Sequence, residues 1–251
     1  MDISAIKTLD RLVEILDCFT LEEPAWSLAE LSVRLKAPKS TLHRLLTALE
    51  THRILRRDPD DKRWRLGYRL VTWGSSAAGS TILRDLAKPV LRDLMLASGE
   101  TAILTVYHNH EVFCIDICET PQPVRLRMEI GSRRPAHAGA SSKALMAYLP
   151  QAEIEAIIHE SGLPRLWSNT ITDPPELRRD LARVVEQGYA ISLEETDAGA
   201  WGVATPVCDQ RGRVVAAVGL AGPATRYGPE KVQQWVSLCR KAAGEIRELI
   251  S

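Results

Sequence analysis

The chain has 251 residues, 45% of them hydrophobic, and its 32 Lys and Arg side chains balance 32 Asp and Glu. That length can hold a small domain plus one of ordinary size, and the zero net charge gives no hint of an anionic partner. No apolar run approaches the ~20 residues that span a bilayer, and Met1-Asp2-Ile3-Ser4 has no signal-peptide pattern, so a cytoplasmic protein with no membrane contact is expected.

From the N-terminus, Leu9, Leu12, Val13 and Leu16 have the spacing of a buried helical face. Ser27-Leu28-Ala29-Glu30 is a capping box opening a short helix with Leu28, Leu31 and Leu35 on one side. A turn through Lys36-Ala37-Pro38 leads into residues 38–51. There Leu42, Leu45, Leu46 and Leu49 form an apolar stripe, and Ser40, His43, Arg44, Thr47 and Thr51 project opposite. Pro38 suits a first turn, which places Lys39, Ser40 and Thr41 at a helix N-terminus favourable to phosphate. Three helices that bury their stripes together form a helix-turn-helix, with the third as reader. Leu55-Arg56-Arg57 and Arg63-Trp64-Arg65-Leu66 then flank the turn-rich Asp58–Lys62 stretch as a two-stranded hairpin. Trp64 and Leu66 are expected on one face and Arg63 and Arg65 on the other, as a basic wing. From Leu31 to Arg69 there are eleven basic and four acidic side chains, so the remainder of the chain is acidic by seven. A basic patch confined to this segment is the electrostatic footprint expected for duplex DNA.

Residues 68–80 read as a linker helix with Leu70, Trp73 and Ala77 on one face, packed either within the chain or against the same helix of a second subunit. Beyond residue 81 strands and helices alternate. Helices are expected near Ile82–Ala97, Ser142–Tyr148, Gln151–His159 and Pro174–Gln187, with a last one after Gly228-Pro229. Strands are expected near Ala102–Tyr107, Glu111–Glu119, Val124–Glu129, Tyr189–Leu193, Val203–Cys208 and Val214–Leu220. Short connections such as Asp209-Gln210-Arg211-Gly212 indicate antiparallel pairing and an α+β domain. The five cysteines contain no Cys-x-x-Cys, and their odd number argues against a disulfide framework; Cys239 lies on the stripe of the last helix as core packing, and Cys114 and Cys118, on one face of a strand, read as buried rather than redox-sensing.

On these residues the chain resembles the IclR family of bacterial transcriptional regulators. Ala37-Pro38-Lys39-Ser40-Thr41-Leu42-His43-Arg44-Leu45-Leu46 is similar to the family's reader, and Arg57-Asp58 through Arg65-Leu66-Gly67 to its wing. Gly131 to Lys143 is similar to its Gly-x-x-x-Pro-x-His-x-x-x-x-x-Lys loop, Ala204–Val207 with Asp209–Gly212 to its Ala-Ala-Pro-Val hairpin, and Gly222-Pro223 closes the series. The resemblance implies a winged helix-turn-helix DNA-binding domain over residues 1–67, a linker helix over 68–80 that dimerises, and a GAF-like effector-binding domain with an antiparallel sheet over 81–251. It implies a homodimer, or a dimer of dimers, on double-stranded operator DNA with an inverted repeat. Lys39, Ser40, Thr41, His43, Arg44 and Thr47 are the expected reading residues, and Arg63 and Arg65 the expected wing contacts.

The loop His137–Lys143 runs into a helix. Either its small residues admit the carboxylate of an effector to free backbone N–H groups, or Ser141 or Ser142 caps the helix. By the resemblance the effector pocket draws on Ala140, Ser141, Ser192, Gly202, Gly219 and Ala221, with Leu126 and Met128 as an apolar floor and Trp201 as a wall. Family members that bind glyoxylate or pyruvate tend to carry Asp, Cys and two Ser where this chain has Ser192, Gly202, Gly219 and Ala221. Smaller, less polar groups predict a roomier pocket for an organic acid with an apolar or aromatic body. A catalytic reading finds little support. His108-Asn109-His110 is too sparse for a zinc site, no nucleophile or nucleotide motif occurs, and the adjacent Glu194-Glu195 cannot act together on a strand. No cofactor or metal is expected.

Overall fold

The computed structural model describes the backbone of residues 3–20, 22–79 and 82–250, and the side chains of these except 3–6, 75–79 and 82. The chain divides into two compact units, residues 1–80 and 81–251. Ser80, where the linker was expected to end, and the side chain of Ala77 on its face lie outside what is described.

In the first unit α1 (Ile3–Leu16), α2 (Leu28–Arg34) and α3 (Lys39–Thr51) converge on one core. The capping box at the start of α2 closes in both directions: the Ser27 hydroxyl accepts from the Glu30 N–H at 3.2 Å, and the Glu30 carboxylate accepts from the Ser27 N–H at 2.8 Å. Leu42, Leu45, Leu46 and Leu49 of α3 are all buried, against Leu31, Ile15, Leu55 and Trp64. The face of α1 differs from the expected one. Leu9 and Val13 are largely exposed, and Ile15 with Leu12 and Leu16 points inward, because the chain bends after Leu16 to bury Cys18 and Phe19 on the same side. The wing strands β2 (Leu55–Arg57) and β3 (Trp64–Leu66) pair antiparallel, and an unforeseen two-residue strand, β1 (Ala25–Trp26), joins β3 on its other edge. Leu66 is exposed at 41%, although Trp64 on the same strand and its register partner Leu55 are both buried. Next comes α4 (Arg69–Gly79), which leaves Val71 and Trp73 exposed, as is Tyr68 just before it.

The second unit is a six-stranded antiparallel sheet between two helical layers. The strands are β4 (Thr101–His108), β5 (Glu111–Cys118), β6 (Arg133–Pro135), β7 (Ala190–Leu193), β8 (Ala200–Cys208) and β9 (Val214–Pro223), in the order β6-β5-β4-β9-β8-β7. On one face α5 (Ile82–Ser98) and α9 (Pro229–Leu249) bury Leu91, Leu94, Trp235 and Val236 against Trp201, Val203, Val218 and Leu220. On the other face α6 (Ala140–Met146), α7 (Gln151–Ala156) and α8 (Pro174–Gln187) bury Leu145, Ile154, Leu177 and Leu181 against Ala190, Ala204 and Ala217. Alanines on that face let the helices approach closely. The expected strand at Val124–Glu129 forms no ladder. Residues 121–130 instead run as an extended strap, with Leu126 and Met128 turned inward and Val124 and Ile130 exposed. A strap over a cavity and a strand over a core share one alternating pattern, so periodicity could not separate them. None of the described helices is long and apolar enough to cross a membrane.

Candidate DNA-reading surface and effector cavity

The outward face of α3 carries Lys39, Ser40, Thr41, His43, Arg44 and Thr47, all exposed. Pro38 occupies the cap position with extended backbone and no side chain caps the helix, so the first-turn N–H groups stay open to solvent. Among the described residues neither Lys39 nor Arg44 has an ion-pair partner, whereas Thr51 donates its hydroxyl to the Thr47 carbonyl at 2.9 Å. The buried leucines fix the helix rotation, which leaves these side chains one direction to face. The wing arginines expected to contact DNA have acidic partners within the domain. Arg63 bonds the Glu30 carboxylate at 2.5 Å and the Ala25 carbonyl at 3.2 Å. Arg65 bonds Asp58 at 3.0 Å and Asp61 at 2.8 Å. Both cations are answered inside the domain, so they brace the wing and contribute little uncompensated charge to it. Those acids come from α2 and the hairpin turn, and the Arg63 pair spans 33 positions of sequence.

In the second unit a cavity of about 90 Å³ lies between the start of α6, the sheet and the strap. Leu126, Met128, Ala140, Ser141, Ser192, Gly202 and Ala221 all line it, together with the unforeseen Ser142, Cys114, Thr105, Arg134 and Asp197. Gly219 does not. A Cβ there would come within 2.5 Å of the Val203 carbonyl oxygen, so glycine at this position serves the close approach of β8 to β9. Trp201 reaches the cavity through its backbone. Its indole stacks on Trp235 at 3.8 Å and 10° on the opposite face of the sheet, because successive residues of β8 alternate and Gly202 takes the cavity side. The lining is mostly apolar. Ser142 and Ser192 are nonetheless more than nine-tenths buried, and neither hydroxyl has a protein partner among the described residues.

The loop feeding α6 is held by charge. Gly139, at φ 93°, is the cap residue; no side chain caps α6, which removes Ser141 and Ser142 as caps. The Glu195 carboxylate accepts from the Gly139 N–H at 3.0 Å and from Lys143 Nζ at 2.6 Å, and Lys143 also lies 2.9 Å from Asp180. Burial pushes the Glu195 carboxyl above the usual carboxylate range, against the opposing pull of Lys143. Glu194, in a left-handed conformation, turns away and accepts from the Gly199 N–H at 2.8 Å. His137 is buried and bonds the Pro164 carbonyl at 3.1 Å, and burial lowers its pKa. The His and Lys of the loop motif are therefore architectural, and the small residues between them face the cavity. The strap is tied at both ends. Arg226 donates to the Val124 carbonyl at 2.8 Å and pairs with buried Glu100 at 2.6 Å, while the Gly131 N–H donates to the Cys114 carbonyl at 2.7 Å. Among the described residues no three His, Cys, Asp or Glu side chains are grouped to hold a metal.

The bacterial transcriptional regulator IclR C-terminal domain matches residues 75–248, and the IclR helix-turn-helix domain matches residues 8–59. The chain belongs to the IclR family. It is 33% identical to the HTH-type transcriptional repressor AllR of Klebsiella pneumoniae over 96% of its own length and 88% of that protein. It is 30% identical to the transcriptional repressor IclR of Escherichia coli K12, over 96% of this chain and 89% of that one. An IclR homologue from Microbacterium hydrocarbonoxydans, solved in complex with 4-hydroxybenzoate, superposes with a TM-score of 0.83 at 28% identity, covering 97% and 98% of the two chains. As an IclR-family protein the chain is a DNA-binding transcriptional regulator and not an enzyme, built from a helix-turn-helix domain and an α+β domain with an antiparallel sheet.

Proposed function

We propose that the protein controls transcription by gripping an inverted-repeat operator as a homodimer or pair of dimers, and that an organic acid in the cavity of the second unit sets that grip. Lys39, Ser40, Thr41, His43, Arg44 and Thr47 read the major groove. Exposed Val71 and Trp73 on α4 support the reading that two subunits meet along residues 68–80. A single reader contacts few base pairs, and a two-fold pair supplies both affinity and spacing.

The observation that carries the effector assignment is the pair of Ser142 and Ser192, buried residues that line a mostly apolar cavity and whose hydroxyls bond no protein group among the described residues. A cavity-lining hydroxyl with no protein partner can bond a ligand oxygen, and apolar walls favour a ligand body of the same kind. The small size of Ser192, Gly202 and Ala221 and the aromatic acid bound by the Microbacterium homologue support an acid with an apolar or aromatic body. At about 90 Å³ the cavity is below the roughly 300 Å³ at which drug-sized sites begin, so a ring enters only as the strap gives way. Calorimetry with 4-hydroxybenzoate and glyoxylate tests the reading. Tighter binding of the aromatic acid is expected, and tighter glyoxylate would sink it. Gel shifts on the upstream region of the gene, with and without the tighter acid, test whether binding alters operator affinity.

A further inference from the structure

The first unit carries a second concentration of positive charge, away from the N-terminal half of the reader. Between the end of α3, the strand β2 and the start of α4 lies a groove lined by Arg53, Arg56, Arg57 and Arg69, with Glu50 as its one acid. These four arginines differ from Arg63 and Arg65. Among the described residues none of them has an acidic partner. Arg69 donates to the His52 carbonyl at 2.9 Å, and Arg57 to the Lys62 carbonyl at 3.0 Å. Arg56 lies 5.4 Å over the Tyr68 ring with its Nε buried and unsatisfied, and Arg69 lies 4.9 Å over Trp73. Among the described residues the Arg53 side chain has no hydrogen-bond or ion-pair partner, and it sits at the groove edge on a left-handed backbone.

We infer that this groove binds backbone phosphates of the DNA duplex outside the base pairs read by α3. The assignment rests on the DNA-binding reading of this unit and adds to it a site read without regard to sequence. Its physical basis is the division of charge. Arg63 and Arg65 are neutralised at home, whereas the groove holds guanidinium groups splayed on aromatic rings, so they meet an anion with little rotamer entropy left to lose. A guanidinium with free N–H donors suits the bidentate geometry of a phosphate. Contacts of this kind release condensed counterions, and each one steepens the fall of affinity with salt.

The test is fluorescence anisotropy of the full chain on a labelled random-sequence 30-base-pair duplex, titrated across ionic strength. The slope of log affinity against log salt should become shallower by about 0.9 for each arginine removed, so by about 1.8 for Arg53→Gln combined with Arg69→Gln. The Arg53→Gln variant alone guards against misfolding, since among the described residues the exposed Arg53 side chain makes no hydrogen bond or ion pair, and it should lose about 0.9. Arg53→Lys with Arg69→Lys should retain the slope and lose affinity only modestly. Unchanged slopes in both glutamine variants would overturn the inference and leave the groove to an acidic protein partner. Failure of the unaltered chain to bind the duplex at low salt would instead count against DNA binding by this unit, a separate result.

Discussion

At the level of single residues, the two sites separate by what each side chain lacks. Arg44 is exposed on the reader and has no ion-pair partner among the described residues, so its charge is available to a base edge. Arg44→Ala should weaken binding to the upstream operator by about 1–3 kcal/mol and leave random-duplex binding nearly unchanged, measured by anisotropy on both. An equal loss on the two duplexes would mark Arg44 as a phosphate contact. In the cavity, Gly202 faces Ala140, and a Cβ there would lie 3.3 Å from the Ala140 methyl. Gly202→Val fills space that the ligand needs, and the expected result is a protein that still shifts its operator but no longer responds to the acid. A retained response at the same concentration would place the ligand elsewhere.

The elements show which features a local pattern can reveal. The leucine stripe of α3, the capping box of α2 and the wing hairpin follow from spacing alone, because each is decided by residues within a few positions of one another. What spacing misread was decided by partners far along the chain. Leu9 and Val13 match the helical period as well as Ile15 does, and only the bend that buries Cys18 and Phe19 selects among them. Arg63 reads as a free wing cation until Glu30 is brought beside it by folding. Gly219 reads as a vacated pocket position, yet a neighbouring strand demands it. The residues from Leu126 to Ala221 were drawn into one candidate site through family likeness, since no local period joins a strap, a helix start and three strands. Lys143 was foreseen as a motif position but not as the centre of a buried charge cluster. Removing it would leave the buried Glu195 carboxylate without a counter-ion and Asp180 with only the exposed Arg183. Lys143→Ala should therefore cost on the order of 3–5 kcal/mol in urea unfolding, and a loss under 1 kcal/mol would show that the cluster adds little.

For the molecule as a whole, the proposed regulation is a linkage between two binding events. An acid that lowers operator affinity tenfold must itself bind tenfold more weakly to the operator complex, about 1.4 kcal/mol of coupling read from either side. Calorimetry of the acid with and without operator DNA checks this, and a one-sided effect would show that the two events do not share an equilibrium. The coupling has to leave the cavity through its walls, and β8 is one wall with two occupied faces. Gly202 borders the cavity, and one residue earlier Trp201 stacks on Trp235 of α9. Displacement of the strand by a ligand must disturb that indole pair. A non-absorbing acid at saturation should shift the tryptophan emission, and Trp235→Phe should remove most of the shift. The protein would thus carry an optical gauge behind its own ligand chamber, through which candidate effectors could be screened by light before any operator is known.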